Sequence, residues 1–215
     1  EQEIRDLEKA WRSTERISIP LNHDDWTFSH IYPNNSPVRR IIAMSHILER
    51  HGHGIRAEPA GRRLLVGLMN LVSEASLPGG HHTLENGLTV TASGYWQDHF
   101  DLGVGSRTRT SALLGASKAG EIATNVLLPF AFALAKVEKD RELMDKALAL
   151  YRSYRRLASN EITRHMTAQL GLEPASGVGA CHQQGLIHIF RNYCREGKCP
   201  ECPLAAELDF RGVRR

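Results

Sequence analysis

The 215-residue sequence predicts a mainly α fold: a single helical domain with a small β-like insertion and a C-terminal helix–cysteine turn. Three observations lead there. Apolar residues recur at spacings of three and four over most of the chain, the period of a helix with one buried face. Only residues 88–96, Leu-Thr-Val-Thr-Ala-Ser-Gly-Tyr-Trp, have β-like composition. Three of the four cysteines (Cys194, Cys199 and Cys202) sit close together after the last apolar helix.

Taken in order, Ile4, Leu7 and Trp11 mark a charged amphipathic helix over about residues 3–16. A polar stretch containing Pro33, Asn34 and Asn35 follows, and Ser36 then offers an N-cap with Pro37 as first helical residue. The helix begun there should turn Val38, Ile41, Ile42 and Leu48 inward and stop near Gly52. A second covers about residues 61–75, burying Leu64, Leu65, Leu68, Leu71 and Val72. Leu77-Pro78-Gly79-Gly80 breaks the pattern, and the β-like segment comes next as a hairpin or an extended loop. A long apolar helix over residues 120–137 is kinked or interrupted by Pro129. Helices follow at about 143–157, 161–170 and, after a flexible 173–179 connection, 182–193. The Met144, Ala147, Leu148, Tyr151 and Tyr154 stripe faces inward. This divides the chain into an N-terminal helix and arm (1–36), a helical domain ending in the cysteines (37–204) and a basic tail (205–215).

A composition of 41% hydrophobic and 24% charged residues is that of an ordinary globular chain. No apolar run approaches the roughly 20 residues that cross a bilayer, and the charged start has no secretory h-region. Four cysteines are too few for a disulfide scaffold, so reduced thiols in a cytoplasmic protein are expected. A net charge of +3 permits nucleic-acid contact without requiring it.

Cys199-x2-Cys202 has the spacing at which two thiolates converge on a tetrahedral metal, and Cys194 lies close enough to join them. Arg195 and Lys198 should favour the thiolates. The expected cofactor is zinc, with an iron–sulfur cluster as the alternative and free thiols as the plain reading. A fourth ligand is needed. Cys181 is a poor one, because 13 helical residues place it about 20 Å from Cys194, so a histidine from elsewhere is preferred. The 198–204 segment is similar to the Cys-x2-Cys element of iron–sulfur helix-hairpin-helix DNA glycosylases. Those enzymes have a longer first interval and a further cysteine.

Lys118, Glu121 and Asn125 share one helix face beside the apolar run 126–130. Lys118–Glu121 reads as a solvated ion pair, and Asn125 as part of a buried hydrogen-bonded network or, alternatively, a ligand pocket. Gln183, Gln184, Asn160 and Glu161 could supply partners. His51, His53, His81 and His82 lack the i, i+4 spacing of a hydrolytic zinc motif and are expected to be exposed. Asp98, His99 and Asp101 form a weak cation candidate. Basic pairs at Arg39 and Arg40, Arg62 and Arg63, Arg107 and Arg109, and Arg155 and Arg156 with Arg152 would contact phosphates if they shared a face.

Val38-Arg39-Arg40-Ile41, Leu113-Leu114-Gly115 with Glu121-Ile122, the run 125–130, and Gln183-Gln184-Gly185-Leu186-Ile187 together resemble the C-terminal part of a bacterial family, domain-of-unknown-function family 2851. The resemblance runs from about Pro37 to Leu204. It implies a helical module that accompanies a nuclease-like domain bearing a Glu-Ile-His type motif. This chain has no such motif, so nuclease activity does not carry over to it. The leading expectation is therefore a non-catalytic module that binds nucleic acid or a protein partner, such as a nuclease-like protein, with a metal clasp. Against it stand an enzyme using Lys118, Glu121 and Asn125, and a purely structural or assembly domain.

Overall fold

A computed structural model describes residues 36–52, 60–172 and 178–205, together with residues 2, 5, 6, 9, 22 and 25. Residues 2, 5, 6 and 9 are helical; the remainder of the predicted 3–16 helix, His53, the 173–177 connection and the basic tail beyond residue 205 lie outside the described residues.

The fold is mainly α. Helix α1 (Pro37–Gly52) starts where the sequence places it, with the Ser36 hydroxyl accepting from the Arg39 amide at 3.3 Å. Its buried face differs from the expected one. Pro37, Arg39, Ala43 and Ile47 point inward, Val38 and Ile42 pack at the margin, and Ile41 is 51% exposed. The stripe is rotated because Arg39 has polar partners to bury against, described below. Helix α2 (Ala60–Glu74) packs on α1, burying Met69, Leu71 and Val72. The contact is close at Gly67, where a Cβ would lie 2.0 Å from the His51 carbonyl oxygen.

A cis Leu77–Pro78 peptide leads into α3 (Gly80–Leu88), a helix the sequence does not announce. Its Gly- and His-containing sequence has modest helical propensity. Tertiary burial of Gly80, Leu84, Glu85 and Leu88 holds it. The β-like segment contributes strand β1 (Val90–Thr91), which pairs antiparallel with β4 (Ala112–Leu114) rather than with its immediate neighbour. Between them β2 (His99–Asp101) and β3 (Val104–Gly105) form a small separate hairpin.

The long apolar helix spans Ala116–Glu138 without a break. It comprises α4 (Ala116–Ile122), a π-helical turn (Ala123–Leu127) and α5 (Leu128–Glu138). Pro129 thus does not interrupt it. In the π turn the Leu128 amide reaches back to the Ala123 carbonyl, and the widened turn absorbs a proline that cannot donate. By length and mean hydropathy alone this 23-residue helix is long and apolar enough to cross a bilayer, although Lys118, Glu121, Lys136 and Glu138 interrupt its apolar run. Here it is a core helix, with Ala119, Ala123, Leu127, Leu128, Ala131 and Ala135 buried.

Lys139, in a left-handed conformation, and Asp140 turn the chain into α6 (Arg141–Ser153), which packs along α5. Asp140 caps α6 by accepting from the Leu143 amide at 3.0 Å. This helix stops four residues short of the predicted end, and residues 154–160 cross the domain without regular structure. A capping box between Asn160 and Thr163 opens α7 (Glu161–Gln169). The last helix, α8 (Ala180–Ile189), passes through a second π turn (Phe190–Cys194) to the cysteines. Val72, Leu84, Leu128, Leu150 and Tyr154 anchor the main core. Met166 and Leu186 are also buried, outside that cluster, where α7 packs on α8.

Candidate functional site, a polar cavity beside the long helix

The helix α4–α5 separates two concavities. One is a cavity of about 540 Å³ bordered by the π turn, the 157–160 crossing, α7 and α8. Five residues singled out on the sequence line it, namely Glu121, Asn125, Asn160, Gln183 and Gln184. Lys118 does not line it, but pairs with Glu121 at its edge.

The cavity walls are set by hydrogen bonds that consume much of the lining. Gln183 is buried, and its Oε1 accepts from the Leu157 amide at 2.8 Å while its Nε2 donates to the Leu157 carbonyl at 3.1 Å. Beneath it the Ala180 amide donates to the Tyr154 carbonyl at 3.1 Å. That approach requires Gly179, whose Cβ would fall 2.7 Å from the same oxygen. Asn160 Oδ1 accepts from the Thr163 amide at 2.8 Å, and Thr163 Oγ1 accepts from the Asn160 amide at 2.9 Å.

Asn125, Gln184 and Arg191 also line the cavity. Their side chains make no hydrogen bond or ion pair with another described residue. The expected buried network around Asn125 is therefore not found. Asn125 is exposed, because it lies on the π turn at the cavity's edge rather than on the core face. Leu157 and Ile187 add apolar surface.

On the other side, α1, α2, β4 and α4–α5 enclose an apolar groove of about 960 Å³. Ile41, Met44, Val126 and Phe130, each about half exposed, line it with Arg40 and Lys118.

The arginine candidates disperse. Arg39 is fully buried, with its guanidinium donating to the carbonyls of Trp96 (3.0 Å) and His99 and to Thr110 Oγ1 (3.0 Å). Burial lowers its pKa, and its Nε has no partner among the described residues. It ties α1 to the β2–β3 hairpin and cannot meet a phosphate. Arg155 is occupied too, bonding Glu85 through Nε (3.1 Å) and Nη2 (2.9 Å). Arg107 and Arg109 are exposed beyond the hairpin, and Arg40 borders the apolar groove. Arg156 is the one that stays near the polar cavity, where its Nη2 donates to Ser159 Oγ at 2.8 Å. Arg164, which no sequence motif singles out, donates to the Ser159 carbonyl at 3.5 Å.

Glu85 is a residue that sequence reasoning does not find. Its carboxylate is 4% exposed and receives the Tyr154 hydroxyl at 3.0 Å as well as Arg155. Burial, then the Glu85 charge, pushes the Tyr154 hydroxyl well above the usual phenol range. The Glu85 bond holds the Arg155 guanidinium above its ordinary value. His81, one turn earlier on α3, lies 5.8 Å from the Tyr154 ring and is held low, first by burial and then by His82. It is half-buried, and so is His51, whose Nε2 bonds the Gly87 carbonyl at 2.9 Å; neither is exposed as expected. Sequence offers Glu85 only as one more acid on a polar stretch, and its partners lie 69 and 70 residues away.

At the C-terminal end, Cys194, Cys199 and Cys202 come near one another around the turn after α8. Burial, then Cys202 and Cys199, raises the Cys194 thiol, and Arg195 faces Glu196 at 3.4 Å instead of stabilising a thiolate. Cys194 Sγ touches Met166 Sδ at 4.0 Å. No three His, Cys, Asp or Glu side chains among the described residues are arranged to hold a metal ion, whether at the thiols or around Asp98, His99 and Asp101. Asp98 is taken up by His99 Nδ1 at 2.8 Å. Cys181 sits at the far end of α8, near Tyr151 and apart from the other thiols.

Searches of curated proteins and of solved structures return no match. A family model described as "Protein of unknown function (DUF2851)" matches residues 2–160, a span that begins earlier than the resemblance read from the sequence and ends before Gln183 and the cysteine turn. The cavity is thus built partly from matched residues, Glu121 to Asn160, and partly from α8 beyond them. On that match over most of its length, the chain belongs to the DUF2851 family.

Proposed function

We propose that the chain is a helical module that binds single-stranded nucleic acid at the polar cavity. The observation that carries this reading is the set of arginines around that cavity. Arg191 lines it, and Arg156 and Arg164 converge on Ser159, between the lining residues Ala158 and Asn160. Exposed Arg195 and Lys198 continue the basic run from Arg191 toward the cysteine turn. Guanidinium groups at a concave polar surface meet phosphate oxygens well, and a cavity rather than a broad flat face suits a single strand better than a duplex.

The test is fluorescence anisotropy of a labelled single-stranded 12-mer at several salt concentrations. Each phosphate neutralised contributes about 0.7 to the log–log salt slope. Replacing Arg156, Arg164 and Arg191 together by Gln should flatten the slope by about 2 and weaken binding. Salt-independent binding, or binding unchanged in the triple variant, would remove the reading.

The cysteine turn is proposed as a structural clasp that takes zinc, or alternatively an iron–sulfur cluster, through Cys194, Cys199 and Cys202. Support comes from their shared turn and from the Cys-x2-Cys spacing. A metal would reverse the upward push on Cys194 by stabilising its thiolate.

A further inference from the structure

We infer that the polar cavity accepts one nucleobase turned out of its strand, read through the carboxamides of Asn125 and Gln184. The inference rests on the nucleic-acid reading above and adds a ligand class to it.

Three features lead there. First, the walls are fixed before any ligand arrives, because Gln183 is committed at both ends to Leu157 and Asn160 to Thr163. Polar groups on a rigid frame lose little entropy on binding. Second, what the frame leaves over is specific. Two carboxamides, Asn125 and Gln184, and one guanidinium, Arg191, have no partner among the described residues. A carboxamide presents a donor and an acceptor side by side, which is the complement of a base edge; Asn and Gln pair in this way with adenine N6 and N7. The guanidinium is the natural partner of the adjoining phosphate. Third, a cavity of about 540 Å³ has room for a nucleotide, since ligand pockets run from roughly 300 to 1,000 Å³. Leu157 and Ile187 offer apolar surface to the base faces, as pockets for extruded bases require.

Other ligand chemistries fit less well. An acyl chain would leave the amides unpaired. A simple anion would use Arg191 alone and leave Asn125 and Gln184 without a role.

The experiment is a calorimetric titration of the full chain with the four ribonucleoside 5′-monophosphates and with ribose 5-phosphate. An adenine or guanine nucleotide should bind at least tenfold more tightly than ribose 5-phosphate. N125A and Q184A should each reduce that preference about tenfold, while R191Q weakens all the phosphorylated probes alike. Both amides are at the surface of the cavity, and unchanged thermal melts would confirm that the variants fold. Equal binding of ribose 5-phosphate and the nucleotides would reduce the site to an anion site and overturn the inference. So would the failure of every nucleotide to bind. The failures of the two proposals are distinguishable. If oligonucleotides bind with the predicted salt slope but N125A and Q184A have no effect, the base site is wrong and the nucleic-acid reading stands. If nucleotides bind through the two amides but oligonucleotides do not bind, the cavity is a site for a free nucleotide, and both the strand-borne base and the nucleic-acid reading are wrong.

Discussion

Gln183 spends its whole carboxamide on one residue, Leu157, accepting from its amide at 2.8 Å and donating to its carbonyl at 3.1 Å across 26 positions of sequence. This two-bond clamp fastens the irregular 154–160 crossing to α8 and shapes one wall of the cavity. Removing it leaves two backbone groups of Leu157 without partners. Gln183→Ala should therefore cost about 3 kcal/mol. Gln183→Glu, which keeps the acceptor but sets a carboxylate against the Leu157 carbonyl, should be no better. Chemical denaturation of the two variants checks this; a loss below about 1 kcal/mol in both would show that the clamp is dispensable.

Arg39 supports the hairpin in a comparable way from α1. Arg39→Met retains the apolar stem and abandons the carbonyls of Trp96 and His99 and the Thr110 hydroxyl. A loss of about 3 kcal/mol is expected, because the abandoned acceptors are buried or nearly so. Limited proteolysis should then cut first within residues 98–109. Cleavage elsewhere first would assign Arg39 a different role.

The alkaline limb of stability should carry the signature of Tyr154. Its folded pKa is raised above the unfolded value near 10, so the neutral phenol is the form the fold favours. That contribution is complete below about pH 10 and declines as pH rises toward the folded value. Tyr151, raised by burial, acts with the same sign. Tyr154→Phe should lose about 1 kcal/mol at neutral pH and show a shallower alkaline decline. Melts between pH 8 and 11 on both proteins decide it; parallel curves would contradict the assignment.

Gly67 permits the close crossing of α1 and α2. A methyl group there meets the His51 carbonyl oxygen, which is backbone and cannot swing aside. Gly67→Ala should destabilise by about 2 kcal/mol or more, despite the better helix propensity of alanine. A neutral or stabilising outcome in a thermal melt would mean that α1 and α2 can separate at little cost.

At the cysteine turn, Cys199→Ser with Cys202→Ser should release bound zinc or iron and lower the melting temperature. Elemental analysis and an absorption spectrum of freshly purified protein are the check. Absence of both metals from the unsubstituted protein would end the clasp proposal.

Much of the helical framework is legible in the sequence because it depends on local signals. Ser36-Pro37 starts α1, and the period of Leu64, Leu68, Leu71 and Val72 defines α2. Glu121, Asn125, Gln183 and Gln184 can also be grouped from sequence, and they meet at one cavity. What escapes prediction depends on distant partners. Helix α3 is held by tertiary burial, and Arg39 reads as one of a basic pair until carbonyls 57 and 60 residues later surround it. The apolar helix around Asn125 predicts that it points inside. Its exposure follows from the π turn, which no local propensity rule announces.

That turn has a consequence for how the two concavities can change. A π turn fits one more residue into the helix than α geometry would, so it shifts the angular phase of everything beyond it. Glu121 and Asn125 face the polar cavity, while Ile122, Val126 and Phe130 face the apolar groove. Deleting one residue between 123 and 127 would remove the extra residue and return the helix to an uninterrupted α register with its C-terminal half left in place. The groove would keep Phe130, whereas the polar cavity would lose the widened turn that presents Asn125. A single continuous helix in this way borders both concavities, and its one widened turn gives Asn125 to the polar one and Val126 to the apolar one.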